Sequence, residues 1–300
     1  WHKLVVPFKK IVICGVGLIG GSLALALRKN GYKGRIVGLE RNREILSRAY
    51  ALGIVDDAGS PMDETFQGAD LLVLSVPVAQ TGNVLKMVMP YLSAEVVVTD
   101  TGSTKTDVIA VAREVLAEKI DRFVPAHPIA GREMNGPDAA IDDLFAGKKT
   151  VITALSENRK DDIEKIAGLW EQCGSIIHYL SPDDHDSVFA TVSHMPHLLA
   201  YGLVDYVANH AKSDLFFQYA ASGFRDFTRI ASSSPEMWRD ITLANRAHLL
   251  TEMDAYLEEL KNMRDLVEKA DGPELEKIYA NAQRARMNWL NTIENSESKK

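Results

Sequence analysis

The chain has 300 residues, 46% of them hydrophobic and 25% charged, and carries a formal net charge of −7 at pH 7. That length suggests about two domains, and the acidic balance excludes a nucleic-acid binder, which needs clustered Lys and Arg to neutralise phosphates. A membrane reading is excluded too, because the apolar runs are strand-sized and interrupted, short of the roughly 18 to 20 residues that a spanning helix needs.

Trp1 starts the chain without an initiator Met or a signal-peptide hydrophobic region, which reads as a trimmed terminus. Lys10 to Cys14 then has the continuous apolar character of a buried parallel strand, and Gly15-Val16-Gly17-Leu18-Ile19-Gly20 leads directly into the apolar helical run Ser22 to Leu27. In a dinucleotide fingerprint Gly15 makes the tight turn, Gly17 lets the backbone approach a pyrophosphate, and Gly20 lets the helix pack close to the strand. The amides around Leu18 and Ile19 face the anion at the helix start. Asn30-Gly31 stops that helix, and the strand Arg35 to Leu39 ends in Glu40, placed to accept hydrogen bonds from a ribose 2′-hydroxyl. The acid favours NAD, while Arg41 and Arg43 beside it leave NADP open.

Leu71 to Ser75 reads as a buried strand, and Val76-Pro77-Val78 opens the next helix. Glu95 to Thr99 is another strand, closed by Asp100-Thr101-Gly102-Ser103-Thr104-Lys105. Phe123 to Ala126 feeds His127-Pro128-Ile129-Ala130-Gly131, and Thr150 to Ala154 and Ile176 to Leu180 are expected to complete one doubly wound sheet. Ligands of such sheets lie outside the carboxyl ends of the strands, so Ser75, Thr101, Ser103 and His127 should face one crevice. Cys14 and Cys173 read as buried thiols rather than a disulfide, which fits a reducing cytoplasm.

After about residue 180 the strand signals vanish. Ser187 to Asn209, Leu215 to Ser232, Pro235 to Arg264 and Pro273 to Ile293 carry helical periodicity, so the expected division is a nucleotide-binding domain over 1–180 and an all-helical domain over 181–300. Trp238 to Met263 reads as both a core helix and a dimer seam, and the polar tail Glu294 to Lys300 is expected to be disordered. Two polar clusters interrupt the helices: Ser193-His194-Met195-Pro196-His197, and Ser222 to Arg229 with Arg225, Asp226 and Arg229. His194 and His197 share a helix face, but no third metal ligand stands near them, so no metal is expected.

The order of these motifs, with His127 to Gly131 continuing into Arg132-Glu133 and with Trp238 after the second cluster, resembles the prephenate/arogenate (cyclohexadienyl) dehydrogenase family of tyrosine biosynthesis, from about Lys9 to about Leu290. The resemblance implies an α/β Rossmann-type dinucleotide-binding domain followed by an all-α dimerisation domain. It also implies a homodimer and the NAD(P)-dependent oxidative decarboxylation of a cyclohexadienol. It makes His127 the general base and Ser103 the serine that hydrogen-bonds both His127 and the substrate hydroxyl. Arg229 is then the favoured clamp on the ring carboxylate, with Arg225 its competitor. Ser193 and His197 match positions lining the side-chain pocket, and Glu133, Asp226 and Trp238 match further site positions. Prephenate, a keto acid, and arogenate, an amino acid, both stay open as substrates. No chorismate mutase segment precedes the fingerprint and no ACT-like domain fits after the helices, so tyrosine feedback is expected at the active site. Another Rossmann-plus-helices reductase of the β-hydroxyacid dehydrogenase kind, or a non-catalytic dinucleotide sensor, would share the fingerprint, but neither accounts for the later clusters.

Overall fold

The computed structural model describes residues 6–297, with side chains through 293. In chain order the first elements are β1 (Lys10–Cys14), α1 (Leu18–Lys29), β2 (Arg35–Leu39), α2 (Arg43–Ala51), β3 (Asp57–Ala58), α3 (Asp63–Phe66), β4 (Leu71–Leu74), α4 (Thr81–Val88), β5 (Val97–Asp100), α5 (Thr106–Leu116) and β6 (Phe123–Val124). The six strands form one parallel sheet in the order β3-β2-β1-β4-β5-β6. This is the Rossmann order, whose reversal of direction lies between β1 and β4. Alternation along β1 shows why both faces are covered: Ile11 and Ile13 enter one core cluster with Leu23, Leu27 and Trp170, whereas Val12 and Cys14 enter the other with Leu72, Leu74 and Phe123. Burial of Cys14 pushes its thiol up to about 12, and Cys14 and Cys173 are both free and buried.

The single continuous sheet expected from the sequence is not what forms. β7 (Ala126–Pro128), β8 (Lys149–Ile152) and β9 (Ile176–Tyr179), with α6 (Lys160–Gln172) between the last two, make a separate three-stranded sheet in which β7 runs antiparallel to β8. Pro125 is the physical break: it has no N–H to continue the β5–β6 ladder, and its carbonyl accepts from Thr153 N at 3.1 Å instead.

Helices follow: α7 (Pro182–Phe189), a π-helical turn over Ala190–His194, α8 (Met195–Ala208), α9 (Ser213–Tyr219), α10 (Ser222–Thr228), α11 (Pro235–Ala244), α12 (Arg246–Glu268) and α13 (Gly272–Glu297). The expected helix from Pro235 to Arg264 is interrupted at Asn245. The chain separates into two compact units, one ending at Arg246 and one beginning at Ala247, so α7 to α11 belong with the sheets. The expected disordered tail is helical as far as Glu297, since no Gly or Pro stops α13 there, and 298–300 lie outside the described residues. Among the described residues no helix is long and apolar enough to cross a membrane, and no group of three His, Cys, Asp or Glu is arranged to hold a metal ion.

Candidate active site

A cavity of about 1420 Å³ opens along the carboxyl ends of β1, β2, β4 and β5 and reaches the helices. One small molecule usually occupies roughly 300 to 1,000 Å³, so the space suits a dinucleotide together with a second small molecule. Of the expected site residues, Gly15, Gly17, Leu18, Ile19, Glu40, Arg41, Ser75, Thr101, Ser103, His127, Glu133, Ser193, His197, Arg229 and Trp238 line it.

The fingerprint glycines divide their work as the geometry requires. Gly15 has φ +92°, and a Cβ there would fall 2.1 Å from the Ser75 carbonyl oxygen. A Cβ on Gly20 would fall 2.0 Å from the Gly15 carbonyl oxygen, so Gly20 packs helix on strand and does not line the cavity. A Cβ on Gly17 meets nothing within 4 Å. Gly17 thus borders the free space in front of α1, whose first turn has no capping side chain and no acid. That is the cradle a pyrophosphate fills, with free amides and the helix dipole toward it. Glu40 follows β2 at the cavity wall, its Oε1 accepting from Asn42 N at 3.2 Å. Thr101 Oγ1 donates to Ser75 Oγ at 3.0 Å, tying the ends of β5 and β4 together.

His127 sits on β7 facing the same cavity, and its ring is part of a chain that the sequence did not disclose. His127 Nδ1 lies 2.8 Å from His185 Nε2, and His185 Nδ1 lies 2.8 Å from Asp186 Oδ1. Asp186 also accepts from Lys105 N and Thr106 N, both at 2.9 Å, and from Thr106 Oγ1, so it closes the N-terminus of α5 from a distant helix. Burial alone would raise the Asp186 carboxyl, but the hydrogen bonds from His185 and from the start of α5 outweigh it and hold it down to about 2. Burial, then the neighbouring His185, keeps His127 well below the ordinary histidine range; burial likewise lowers His185. No hydrogen bond joins Ser103 to the His127 ring among the described residues; the ring's partner is His185.

Beneath this chain Lys105 and Asp100 form a fully buried ion pair. Asp100 Oδ1 accepts from Ala126 N at 3.1 Å and Lys105 Nζ donates to Ala126 O at 2.8 Å, which satisfies both backbone groups of the residue before His127.

On the helical side the π-turn carries Ser193 and His194 into α8. His197 Nδ1 donates to the Ser193 carbonyl at 2.8 Å, and its ring stacks on Trp238 with centroids 3.4 Å apart. Burial lowers His197, partly offset by that carbonyl. The buried Trp238 Nε1–H has no hydrogen-bond partner among the described residues. His194 is buried and pushed down to about 4 by burial, and its Nδ1 lies 3.0 Å from Asn245 Nδ2, which also donates to Asp186 O at 2.8 Å. Asn245 is therefore where α11 ends and where two histidine clusters are joined. Arg229 is ion-paired with Glu133 within the cavity lining. Arg225 and Asp226 are not brought to the cavity: they are exposed and paired with each other at 3.4 Å.

His185, Asp186 and Asn245 are the residues that sequence reasoning missed. Pro182-Asp183-Asp184-His185-Asp186 has the signature of a helix N-terminus, and Ser181 does cap it by accepting from Asp184 N at 3.1 Å, so nothing local marks the histidine as part of a site.

Known proteins match this arrangement along nearly the whole chain. The family described as prephenate dehydrogenase, nucleotide-binding domain, matches residues 23–179, and prephenate dehydrogenase, dimerization domain, matches residues 181–281. The cyclohexadienyl dehydrogenase of Zymomonas mobilis is 36% identical over 93% of this chain and 96% of its own length. The prephenate dehydrogenase of Bacillus subtilis is 36% identical over 91% of this chain and 74% of its own. Among solved structures, prephenate dehydrogenase from Aquifex aeolicus in complex with hydroxyphenyl propionate and NAD+ superposes with a TM-score of 0.87 at 36% identity, covering 93% of this chain and 98% of that one. Synechocystis arogenate dehydrogenase gives a TM-score of 0.77 at 28% identity, covering 93% and 99%. With both domain families in order behind a dinucleotide cradle, this chain belongs to the prephenate dehydrogenase family of oxidoreductases.

Proposed function

We propose that this chain is an NAD-dependent dehydrogenase that oxidatively decarboxylates prephenate to 4-hydroxyphenylpyruvate, arogenate to tyrosine, or both. The observation that carries the reading is the continuity of one cavity from the Gly17 cradle and Glu40 to Ser103, His127, Arg229 and Trp238. Held at the Gly17 cradle and Glu40, NAD would supply the hydride acceptor for the ring carbon that bears the hydroxyl. His127 Nε2 accepts the hydroxyl proton, and Ser103, on the same cavity wall, orients that hydroxyl. Arg229 holds the ring carboxylate, which leaves as CO₂ as the ring aromatises and needs no acid from the protein. His197, Ser193 and the Trp238 ring stacked on His197 meet the substrate's side chain.

Glu40 at the cavity wall supports NAD, and Arg41 and Arg43 beside it keep NADP open. We further propose that residues 1–180 bind the cofactor while 181–300 complete the substrate pocket and pair two copies. Exposed Leu250, Leu257, Leu260 and Met287 in the unit after Arg246 support the pairing. The test is reduced-nicotinamide absorbance in four mixtures, pairing prephenate or arogenate with NAD or NADP. Turnover is expected with NAD and at least one substrate; silence in all four with cofactor binding intact overturns the assignment.

A further inference from the structure

The catalytic reading needs one specific form of His127, the tautomer whose Nε2 is bare toward the cavity. A free imidazole in water exchanges between two tautomers, and only the hydrogen bond made by its other nitrogen selects one. In this structure the other nitrogen is Nδ1, and its partner is His185 Nε2 at 2.8 Å.

The direction of that bond follows from the far end of the chain. Asp186 is ionised, so it only accepts. His185 must therefore place its proton on Nδ1, facing Asp186 Oδ1. A neutral His185 then has a lone pair on Nε2, and the bond to His127 Nδ1 is made only if His127 supplies the proton. That leaves His127 Nε2 bare. Every link is enclosed: His185 and Asp186 are fully buried, and α7 places Phe189 one turn after His185, with ring centroids 5.0 Å from His127 and 4.6 Å from His185.

We propose that His185, held by Asp186, is a positioning residue for the reaction, fixing the tautomer and the ring plane of His127. The inference rests on His127 being the base, as proposed above. Asp186 is itself fixed by the amides of Lys105 and Thr106 and by the Thr106 hydroxyl, so the orienting chain is anchored at the start of α5.

Two substitutions separate positioning from bulk packing. In His185→Gln a side-chain carbonyl reaches the place of Nε2 and still accepts from His127 Nδ1–H; in His185→Leu nothing accepts. The expected result is a kcat for His185→Leu lower by roughly 10- to 100-fold with KM nearly unchanged, and recovery of most of that loss in His185→Gln. In parallel, ¹⁵N spectra of histidine-labelled wild-type protein, with His127 assigned through His127→Asn, should show Nε2 unprotonated and Nδ1 protonated. Equal turnover by wild type and His185→Leu overturns the proposal, as does equal impairment of both variants accompanied by lost thermal stability. Should His185→Leu not fold, a protonated Nε2 in the wild-type spectrum overturns it alone. A wild-type protein silent in all four assay mixtures removes the dehydrogenase reading instead, and the tautomer remains decided by the spectrum.

Discussion

Arg229 and Glu133 are bound to each other in the cavity where each is expected to meet substrate. Their side chains are 63% and 37% exposed, and ion pairs in such settings contribute about 0 to 1 kcal/mol. A ring carboxylate that gains charge-assisted hydrogen bonds worth about 1.5 to 3 kcal/mol can therefore take Arg229 from Glu133. Arg229→Ala should raise KM by roughly 10- to 100-fold with little change in kcat, read from steady-state kinetics. Glu133→Gln discriminates between substrates. If Glu133, once released, meets the ammonium of arogenate, the variant lowers kcat/KM for arogenate relative to prephenate; an unchanged ratio confines Glu133 to restraining Arg229.

His127→Asn should lower kcat by roughly 10² to 10⁴, the span of a general base. Binding of 4-hydroxyphenylpyruvate, followed by quenching of Trp238 stacked on His197, should be little affected. A retained rate would move the base elsewhere, first to His197.

The fingerprint glycines predict opposite outcomes for the same substitution. Gly17→Ala adds a methyl to open space, so thermal stability should hold while NAD affinity falls. Gly20→Ala drives a methyl into the Gly15 carbonyl, so the fold should lose about 1 to 3 kcal/mol or more. Calorimetry and cofactor titration on the two variants check the contrast.

Four histidines, His127, His185, His194 and His197, all have folded values below the ordinary 6.5 because of burial. An unfolded chain protonates them as pH drops through that value while the folded one resists protonation. Unfolding then takes up protons, and stability rises with pH across this window and is lost on acidification. The pH slope of the unfolding free energy measures this, and a zero slope between about pH 5 and 6.5 would contradict it. Asp186 acts in a lower window: its stabilisation is present above about 3.9 and is lost as pH falls toward its folded value of about 2.

Lys105→Met leaves Asp100 buried without its cation. Breaking a buried pair from one side costs about 3 to 5 kcal/mol, so denaturant unfolding should show a large loss even where cofactor still binds.

What was legible in the sequence is what is local. The β1–Gly15-to-Gly20–α1 unit is read by adjacent residues, and the helical periodicity after residue 180 needs no partner to be seen. The second sheet was hidden because Phe123 to Ala126 is apolar throughout, and the missing N–H of Pro125 turns β7 out of the first ladder. His185 lies 58 residues beyond His127 in a stretch whose acids and Ser181 already satisfy a helix start. Asn245 reads as mid-helix, although its side chain bridges the Asp186 carbonyl and His194. Each of these residues has a decisive partner far along the chain, His127 for His185 and His194 for Asn245, which local sequence does not reveal.

Pro125 separates the strand that carries His127 from the sheet that carries the cofactor cradle, and Asp100 and Lys105 grip the intervening Ala126 from the cofactor side. The two sheets nevertheless share one core, in which Ile11 and Ile13 pack in the same cluster as Ile152 and Trp170. A change in the length or charge of Asp100 or Lys105 would therefore reach the place of His127 relative to the cradle through one backbone residue, Ala126.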